Sequence, residues 1–369
     1  MRIESRAGVD SYSETFMANV AIVGAGFMGS AMAWPLSDNG HQVRLVGTHL
    51  DHEIIQSCVE KGFHPKLKRK LPANVKPYFI ADLAKALEGV NLIISGVSSP
   101  GVHWIGQTLA PHLKPGMRIL AITKGLEATA DGQLRILPDV LADELPADIR
   151  DKVTLATVGG PCIAGELAAR RHTCVYFTSR DAKVLPELRA LFKTSYYHIA
   201  ISTDIMGVEV CVALKNAYTL AVGLAEGMLD QLPPDEANMR NYNPAAAIFG
   251  VTAKEMVRLV SLLGGKPEKV ASIPGVGDQY VTCMGGRTVR LGRLLGKGLT
   301  YEQARAEMAG ETLESAFVVA QIAKALPGLE ARGLIGRDEL PLTRALCRVI
   351  SGGKTVDIDF DSLIPDDVS

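Results

Sequence analysis

The sequence predicts an α/β fold in two parts, a doubly wound parallel sheet followed by an all-α domain. Three glycines spaced G-x-G-x-x-G directly follow the apolar residues 20–23, and a helical pattern over residues 28–39 comes next. Short apolar strands then alternate with helical stretches to about residue 200, which is typical of a parallel sheet with helices on both faces. Beyond that point the alternation stops, and long helical patterns continue to about Ile350.

The glycine loop predicts a dinucleotide site in a domain of the Rossmann type. Gly24 permits a tight turn, Gly26 lets the backbone approach a pyrophosphate, and Gly29 lets the first helix pack close to the first strand. Phe27 and Met28 lie at the N-terminus of this helix, where free N–H groups and the positive end of the helix dipole face the phosphates. The alternative is a glycine-rich turn in some other parallel sheet.

The second predicted strand, residues 43–46, leads to Thr48 and His49. NAD-binding units carry an acidic residue about 20 residues after the glycines, which holds the ribose 2′-OH. Asp51 is the nearest acid, and we expect it to cap the next helix, residues 51–60. Because no acid would then repel a 2′-phosphate, we expect NADP, or the use of both NADP and NAD. If Asp51 reaches the ribose instead, NAD is favoured.

Further strands are predicted at residues 92–95 and 118–122, with helices at 100–112 and 133–143. Lys124 directly follows the second of these strands. Because ligands bind beyond the carboxyl ends of the strands in such sheets, we expect Lys124 to face the cofactor cleft. The alternative is a solvated lysine in a turn.

Three more strands complete the sheet, and the first of them ends in a turn at Gly160 and Pro161 that leads into a helix near Ile163. We place the dinucleotide-binding domain at residues 18–203. The three strands are expected at residues 153–158, 173–178 and 196–200.

Composition excludes several classes of partner. The chain has 369 residues, a net charge of -1 and 47% hydrophobic residues, which predicts neither nucleic acid nor a membrane surface as its main partner. No apolar stretch predicts a membrane span, and the eight histidines show no metal-ligand spacing. Six cysteines without a C-x-x-C pair indicate a reducing compartment. Residues 1–17 are expected to form a flexible extension, and the acidic residues 353–369 a frayed tail.

The helical domain, placed at residues 204–352, opens with a segment that is apolar almost all round. This pattern predicts a buried central helix, and Lys215 and Asn216 lie within it. A lysine is almost never fully buried unless it is paired, so Lys215 must meet a partner or border a cavity. Desolvation lowers the pKa of a lysine, which suits it to general acid–base catalysis. The alternative is a side chain that reaches solvent.

Two later charges complete a candidate site. Asp278 follows a glycine-bracketed turn and would be a partner for Lys215. Arg287 follows two glycines, and its planar guanidinium group suits a phosphate. Asp278 or Arg287 alone would be an ordinary charged loop residue. Together with a cofactor-binding fold and two candidate lysines, they indicate a catalytic site.

Taken together, these motifs resemble those of the NAD(P)-dependent glycerol-3-phosphate dehydrogenases. The resemblance implies a cytoplasmic homodimer that reduces dihydroxyacetone phosphate to sn-glycerol 3-phosphate and supplies glycerophospholipid synthesis. It runs in order from about residue 19 to about residue 350 and rests on Gly24-Ala-Gly-Phe-Met-Gly29, Leu71-Pro-Ala-Asn-Val75, Thr123-Lys124-Gly125, Gly160-Pro161 with Ala164 and Glu166, Leu214-Lys215-Asn216, Gly275 to Asp278, Thr282-Cys283 to Arg287, Leu294-Leu-Gly-Lys297 and Glu339-Leu-Pro341.

The resemblance also implies roles for the residues at matching positions. Lys215 would be the proton donor or acceptor, and Lys124 and Asp278 would be the other catalytic residues. The residues expected to bind the phosphorylated substrate are Lys124, Gly160, Cys162, Asn216, Thr282, Arg287 and Thr288. The residues expected to bind NADP or NAD are Gly24, Gly26, Phe27, Met28, Gly29, Thr48, His49, Lys124, Ala164, Arg287 and Glu314.

Two departures from the family pattern leave the substrate open. Thr288 stands where asparagine is usual, and Cys162 where serine or asparagine is usual. The alternative is a related reductase of another small keto acid or sugar phosphate, of the ketopantoate or β-hydroxyacid type, against which the segment from Asp278 to Arg287 argues. A non-catalytic NADP sensor would need no buried lysine, so Lys124 and Lys215 argue against that class.

Overall fold

The computed structural model describes residues 17–233, 241–356 and 358–364. Within them, a sheet with helices on both faces precedes a helical domain, as predicted. The strands are β1 (Asn19–Val23), β2 (Gln42–Val46), β3 (Phe63–His64), β4 (Arg69–Lys70), β5 (Val75–Tyr78), β6 (Leu92–Ser95), β7 (Arg118–Ala121), β8 (Leu126–Ala128), β9 (Leu134–Ile136), β10 (Thr154–Gly159), β11 (Thr173–Ser179) and β12 (Tyr197–Ser202). The helices are α1 (Phe27–Ala31), α2 (Ala33–Asp38), α3 (His52–Lys61), α4 (Leu83–Ala86), α5 (Val102–Leu109), α6 (Leu137–Asp143), α7 (Ala147–Arg150), α8 (Ala164–Ala168), α9 (Val184–Phe192), α10 (Ile205–Gly227), α11 (Tyr242–Leu262), α12 (Asp278–Cys283), α13 (Arg287–Gly296), α14 (Tyr301–Glu307), α15 (Glu314–Ala331), α16 (Pro341–Gly352) and α17 (Phe360–Leu363).

The main sheet has the strand order β12-β11-β10-β7-β6-β1-β2-β5. Neighbouring strands are parallel, as predicted, except for β10 and β11, which are antiparallel. The reason is the short connection between them. Helix α8 has five residues and spans about 7.5 Å, whereas a six-residue strand is about 20 Å long. The connection is therefore too short to carry the chain back to the edge of the sheet where β10 begins, and β11 runs in the opposite direction to β10.

Hydrophobic side chains cover both faces of this sheet. Ile22 and Ile94 pack on one face, while their neighbours Ala21 and Ile93 pack on the other. Because successive side chains of a strand point to opposite faces, continuous apolar strands are what a sheet buried on both faces requires.

Two predicted helices differ in the structure. The helix expected over residues 28–39 is divided into α1 and α2, because Pro35 has no N–H to donate to the carbonyl of Ala31. The helix expected over residues 133–143 begins instead as strand β9, which pairs with β8 in a hairpin. Gly132 adopts a φ of 78° in the turn of this hairpin, and residues before α6 are thereby held extended.

The expected extension at residues 1–17 lies outside the described residues except for Met17. The tail expected to fray at residues 353–369 is described in part, and fraying itself stays a prediction. Residues 360–363 form α17, whose first turn is capped by the Asp359 side chain. Leu363 is buried against the helical domain.

Helix α10 is the centre of the helical domain, and almost every residue in it is buried. Helix α13 crosses it closely, since a Cβ at Gly223 would lie 2.7 Å from the Val289 carbonyl oxygen and one at Gly292 2.4 Å from the Leu220 carbonyl oxygen. Helix α10 with its following turn is also the described segment whose length and hydropathy would suit a membrane crossing, and 94% of its apolar window is buried in the protein.

Candidate active site

A cleft of about 690 Å³ lies between the carboxyl edge of the sheet and the helical domain. Most of the residues predicted to form the site line it, although they come from both parts of the chain. These are Gly26, Phe27, Met28, Gly29, Thr48, His49, Lys124, Cys162, Ala164, Lys215, Asn216, Arg287 and Glu314. Five other predicted residues are not in its lining, namely Gly24, Gly160, Asp278, Thr282 and Thr288.

The glycine loop has the close contacts that a dinucleotide-binding turn requires. Gly24 has a φ of 117°, and a Cβ there would lie 2.5 Å from the Gly96 carbonyl oxygen. A Cβ at Gly29 would lie 2.1 Å from the Gly24 carbonyl oxygen, so the helix and the turn touch backbone to backbone. At Gly26 the Cβ position has no atom within 4 Å, which leaves the backbone open to an approaching phosphate. These residues therefore fit a dinucleotide pyrophosphate.

Asp51 has a different role from the predicted helix cap. Its side chain makes no capping hydrogen bond to α3. Instead, Oδ2 accepts hydrogen bonds from the Ala25 N–H at 3.1 Å, the Thr48 N–H at 2.9 Å and the Thr48 hydroxyl at 2.8 Å. The acid thus ties the end of β2 to the glycine loop, because the fold brings these two turns side by side at the edge of the sheet.

A hairpin formed by β3 and β4 adds a lysine that the sequence analysis did not single out. His64 is buried, and its Nε2 contacts the Ala25 carbonyl oxygen at 3.1 Å while its Nδ1 accepts from the Leu67 N–H at 3.0 Å. Burial lowers the pKa of His64, so the neutral ring donates from Nε2. This contact holds the hairpin over the glycine loop, and Lys66 in its turn lines the cleft. The basic run from Lys66 to Lys70 was the available signal.

An aromatic side chain closes the same end of the cleft. Trp104 on α5 stacks edge to face against His49, with ring centroids 5.1 Å apart, and both residues line the cleft. Sequence reasoning missed Trp104 because nothing in its local pattern distinguishes it from a core residue of an amphipathic helix.

The other end of the cleft holds a cluster of three charged side chains. Lys215 on α10 donates a hydrogen bond to Oδ1 of Asp278. Lys124, after β7, donates to Oδ2 of the same carboxylate at 3.0 Å and lies 3.4 Å from the Gly160 carbonyl oxygen. Asp278 is 1% exposed and lies behind the two lysines, whereas both lysines line the cleft. One buried carboxylate therefore pairs with two ammonium groups.

Burial and charge act on the two lysines with different results. Burial lowers the pKa of Lys215 to about 8, against the attraction of Asp278 and with the help of the repulsion from Lys124. Burial also acts to lower the pKa of Lys124, but the attraction and hydrogen bond of Asp278 outweigh it, and the pKa is raised. Lys215 is thus the lysine suited to exchange a proton near neutral pH, and Lys124 remains a cation.

Asp278 is held in place by hydrogen bonds of its own helix and of its neighbour. It is the first residue of α12, and its carbonyl oxygen accepts from the Thr282 hydroxyl at 2.7 Å. The next residue, Gln279, donates to the Thr252 hydroxyl on α11 at 2.7 Å. Thr282 therefore supports the carboxylate's helix, while its place in substrate binding stays a prediction.

Arg287 begins α13 and reaches the cleft from the helical side. It is exposed, and among the described residues it makes no ion pair. Gly285 and Gly286 before it have φ values of 154° and 103°, a backbone that favours glycine. Thr288 is part-buried behind it and does not line the cleft. Arg287 is therefore a free cation that an anionic ligand in the cleft would meet.

Cys162 lies where the strand end of β10 meets the glycine loop. Its thiol is 3.9 Å from the sulfur of Met28, and burial raises its pKa to about 12, so it is a thiol rather than a thiolate. Ala164 begins α8 beside it. Across the cleft, Glu314 begins α15, and Thr312 just before it is a further lining residue that the sequence analysis did not identify.

Comparison with known proteins agrees with this arrangement. Residues 19–185 match the family model described as NAD-dependent glycerol-3-phosphate dehydrogenase N-terminus, and residues 204–360 match the C-terminus of the same family. An NADP(+)-dependent glycerol-3-phosphate dehydrogenase from Archaeoglobus fulgidus is 36% identical over 289 residues, 78% of this chain and 83% of that protein. A glycerol-3-phosphate dehydrogenase [NAD(P)+] from Bacillus velezensis is 30% identical over 354 residues, 94% of each chain.

Solved structures give the same result. A glycerol-3-phosphate dehydrogenase from Coxiella burnetii is 29% identical, with a TM-score of 0.76 over 92% of this chain and 96% of that one. By contrast, a ketopantoate reductase from Ralstonia eutropha is 16% identical with a TM-score of 0.52 over 90% of this chain and 97% of that one, and so shares the fold alone.

Proposed function

The chain belongs to the family of NAD-dependent glycerol-3-phosphate dehydrogenases, and we propose that it interconverts dihydroxyacetone phosphate and sn-glycerol 3-phosphate with an NAD(P) cofactor. The observation that carries this proposal is the cluster of Lys124, Asp278 and Lys215, which shares one cleft with the glycine loop. A proton donor thereby lines the same cleft as the loop that would hold a hydride-donating cofactor.

The proton step follows from the charges of the cluster. When bound, a nicotinamide cofactor supplies the hydride that adds to the carbonyl carbon. Lys215 donates a proton to the carbonyl oxygen as negative charge develops there, and it takes the proton back in the reverse direction. Its lowered pKa of about 8 suits both directions near neutral pH.

Lys124 and Asp278 prepare this step without exchanging the proton. The Lys124 ammonium stays charged and stabilises the developing oxyanion. The Asp278 carboxylate holds both ammonium groups at a fixed separation and so orients Lys215. Because Asp278 is buried behind them, substrate contacts the lysines and not the acid.

The substrate phosphate would bind to Arg287, with Asn216 beside Lys215 as a further donor. Arg287 is exposed, lines the cleft and has no competing partner among the described residues. A guanidinium group offers two parallel donors to a phosphate. Cys162 donates only weakly where a serine would donate well. Replacing Thr288 by asparagine and Cys162 by serine together is therefore expected to lower the KM for dihydroxyacetone phosphate.

NADP would be the preferred cofactor. Asp51 directs Oδ2 at the Ala25 N–H and at the N–H and hydroxyl of Thr48, which leaves only Oδ1 for a ribose hydroxyl, the group that the acid of an NAD site holds. Thr48, His49 and Lys66 line the same end of the cleft and would favour a 2′-phosphate. We expect NADPH to be used at least as well as NADH.

We also propose a cellular compartment and an oligomeric state for the enzyme. All six cysteines are free thiols, which suits a reducing compartment, and the family resemblance implies a cytoplasmic homodimer that supplies glycerophospholipid synthesis. Residues 18–203 would bind the cofactor and residues 204–352 would supply the proton and bind the substrate. Sedimentation of the purified chain tests the dimer.

One assay tests the reaction itself. NADPH and NADH oxidation is measured against dihydroxyacetone phosphate, ketopantoate and other small keto acids and sugar phosphates at matched concentrations. We expect reduction of dihydroxyacetone phosphate above all others. Reduction of an unphosphorylated acid, with dihydroxyacetone phosphate left unchanged, would instead establish the ketopantoate or β-hydroxyacid type of reductase. Cofactor binding without turnover of any substrate would indicate a sensor.

A further inference from the structure

His64 is a buried side chain that joins two parts of the cofactor end of the cleft. It is the last residue of β3, and its exposed fraction is 0%. Its Nδ1 accepts a hydrogen bond from the Leu67 N–H at 3.0 Å, so the proton of the neutral ring lies on Nε2. Nε2 in turn donates to the Ala25 carbonyl oxygen at 3.1 Å. One ring therefore holds the turn of its own hairpin and the glycine loop at the same time.

The contact with Ala25 fixes the peptide that joins Ala25 to Gly26. The described peptides are trans, and in a trans peptide the carbonyl and the N–H point in opposite directions. Because the carbonyl faces His64, the Gly26 N–H is directed away from the ring. Gly26 lines the cleft and precedes the first turn of α1, so this N–H has no acceptor within the helix. Asp51 accepts from the Ala25 N–H at 3.1 Å, and Ala25 is thus held through both of its peptides.

The contact with Leu67 fixes the turn that carries Lys66. Strands β3 and β4 have two residues each, so their own ladder gives the hairpin little support. The turn is held instead by the bond from the Leu67 N–H to His64 and by burial of the Leu67 side chain. Lys66 between them is exposed and lines the cleft with Thr48 and His49. The place of the Lys66 ammonium therefore depends on the His64 ring.

We propose that His64 is a positioning residue for the cofactor, whose Nε2–H sets the Gly26 N–H for the pyrophosphate and whose Nδ1 sets the turn that presents Lys66 to the 2′-phosphate of NADP. This inference rests on the proposed function, because it takes the cleft to bind NADP or NAD. His64 does not line the cleft, so it acts through the two loops that it holds.

The two hydrogen bonds of the ring act on different parts of the cofactor. The pyrophosphate is common to NADP and NAD, whereas the 2′-phosphate is present in NADP alone. Loss of the Nε2 bond to Ala25 should therefore weaken the binding of both dinucleotides. Loss of the Nδ1 bond from Leu67 should weaken the binding of NADP alone, since only NADP has a group for Lys66 to meet.

Two substitutions separate these bonds. The amide of asparagine lies near the place of Nδ1, so His64→Asn can still accept from the Leu67 N–H but does not reach Ala25. The longer glutamine places its amide near Nε2, so His64→Gln keeps the bond to Ala25 and loses the one from Leu67. Calorimetry gives the Kd values of the full chain for NADPH and NADH, with no ketone present. We expect His64→Asn to raise both Kd values about threefold to tenfold, and His64→Gln to raise that for NADPH alone by a similar factor.

Two further variants are controls. His41→Gln changes another buried histidine of the same domain that does not line the cleft, and it should bind both dinucleotides as the wild type does. Lys66→Met changes an exposed side chain and should raise the Kd for NADPH without changing that for NADH. Adding His64→Gln to Lys66→Met should cause no further loss, because the ring acts on the 2′-phosphate through Lys66. Thermal unfolding of each variant establishes that it is folded.

Equal losses of NADPH and NADH affinity in both His64 variants, or no loss in either, would overturn the proposal. A loss in His41→Gln as large as that in the His64 variants would do the same, because it would assign the effect to general destabilisation. Lys66→Met decides the hairpin part even if a His64 variant does not fold, since an unchanged Kd for NADPH would contradict it. If the chain reduces no phosphorylated ketone, the proposed reaction fails while the pattern of Kd values still reports on His64, so the two failures are distinguishable.

Discussion

The two halves of the cleft are built in different ways. The cofactor half is built around one continuous stretch, residues 20–29, whose glycines bring backbone against backbone. The catalytic half joins side chains that are far apart in sequence, since Asp278 is 63 residues from Lys215 and 154 from Lys124. A site made of backbone depends on local conformation, whereas a site made of paired charges depends on how distant elements pack.

The two halves also differ in the role of their buried aspartates, Asp51 in the cofactor half and Asp278 in the catalytic half. Asp51 accepts hydrogen bonds from neutral N–H and O–H groups and fixes the conformation of the loops around the cofactor. Asp278 accepts hydrogen bonds from two ammonium groups and controls their pKa values. Substitutions in the two halves should therefore change different measurements.

The largest effect is expected for Lys215→Met in the catalytic half. Without the proton donor, kcat should fall by roughly 10²-fold to 10⁴-fold, while the Kd for NADPH stays nearly unchanged. In the wild type, the rate of reduction should fall as the pH rises through about 8, because Lys215 loses its proton. The rate of oxidation should rise over the same range, because the neutral amine is then the base.

Lys324→Met is the matched control, since Lys324 is exposed on α15 and should be replaceable without loss of turnover. Stopped-flow and steady-state assays of both variants decide the point. Turnover of Lys215→Met close to that of the wild type would remove Lys215 from the mechanism.

Asp278→Asn should destabilise the fold and shift the pH profile. Removing the carboxylate charge leaves the buried Lys215 and the part-buried Lys124 without an ion-pair partner, and breaking a buried ion pair costs about 3–5 kcal/mol of unfolding free energy. Because the attraction of Asp278 raises the pKa of Lys215, its loss should lower that pKa further. The alkaline fall in the rate of reduction should then begin at a lower pH.

Denaturant unfolding and pH profiles of kcat measure both effects. The comparison variant is Asp51→Ala, which removes the other buried aspartate. We expect it to weaken NADPH binding and to leave the midpoint of the pH profile where it is. A shift in that midpoint for Asp51→Ala, or none for Asp278→Asn, would show that the two halves are not separate.

Gly24→Ala should act only on the cofactor half. The new Cβ would lie 2.5 Å from the Gly96 carbonyl oxygen, at a φ of 117° that disfavours alanine. We expect the Kd for NADPH, measured by calorimetry, to rise at least about tenfold, with kcat at saturating NADPH nearly unchanged. Gly165→Ala is the control, because its Cβ would have no atom within 4 Å. Equal NADPH affinity in both variants would contradict the role of the close contact.

The smallest of these effects is expected at Arg287, where the two halves meet. Arg287→Ala should raise the KM for dihydroxyacetone phosphate about tenfold, since a hydrogen bond to a charged group contributes about 1.5–3 kcal/mol. Arg290→Ala on the same helix is the control, because Arg290 is exposed and pairs with Glu311. An unchanged KM in Arg287→Ala, measured in steady state, would place the phosphate elsewhere in the cleft.

Features that depend on local conformation could be predicted from the sequence, whereas features that depend on the packing of distant elements mostly could not. The glycine loop and the strands on either side of it were predictable, because the spacing of Gly24, Gly26 and Gly29 is a local constraint on the backbone. Lys215 was also identifiable, since a charge within an apolar helix has to find a partner. Glu209 in the same helix carried the same signal, an ionisable residue in an apolar segment. It was not identified, because no residue elsewhere in the sequence suggested a partner for it.

Other features depended on contacts that no local pattern contains. Asp51 lies where a helix cap is expected, but the neighbouring glycine loop offers its oxygen three donors, and those bonds replaced the cap. The β8–β9 hairpin interrupted a helical pattern because its Asp131-Gly132 turn allows the chain to reverse. Lys66 entered the cleft only because His64 holds its hairpin against the backbone of Ala25.

The sequence by itself therefore determined the α/β class, the family and the position of the cofactor loop, because apolar periodicity and glycine spacing act over neighbouring residues. The tertiary structure decided what joins the predicted pair of Lys215 and Asp278, since it placed Lys124 on the same carboxylate. It also buried Glu209 and exposed Arg287 at the cleft, and among the described residues neither side chain has a hydrogen-bonding or ion-pair partner. The physical reason is that the pKa of a side chain depends on burial and on charges close in space, and these are set by how the sheet and the helical domain pack together.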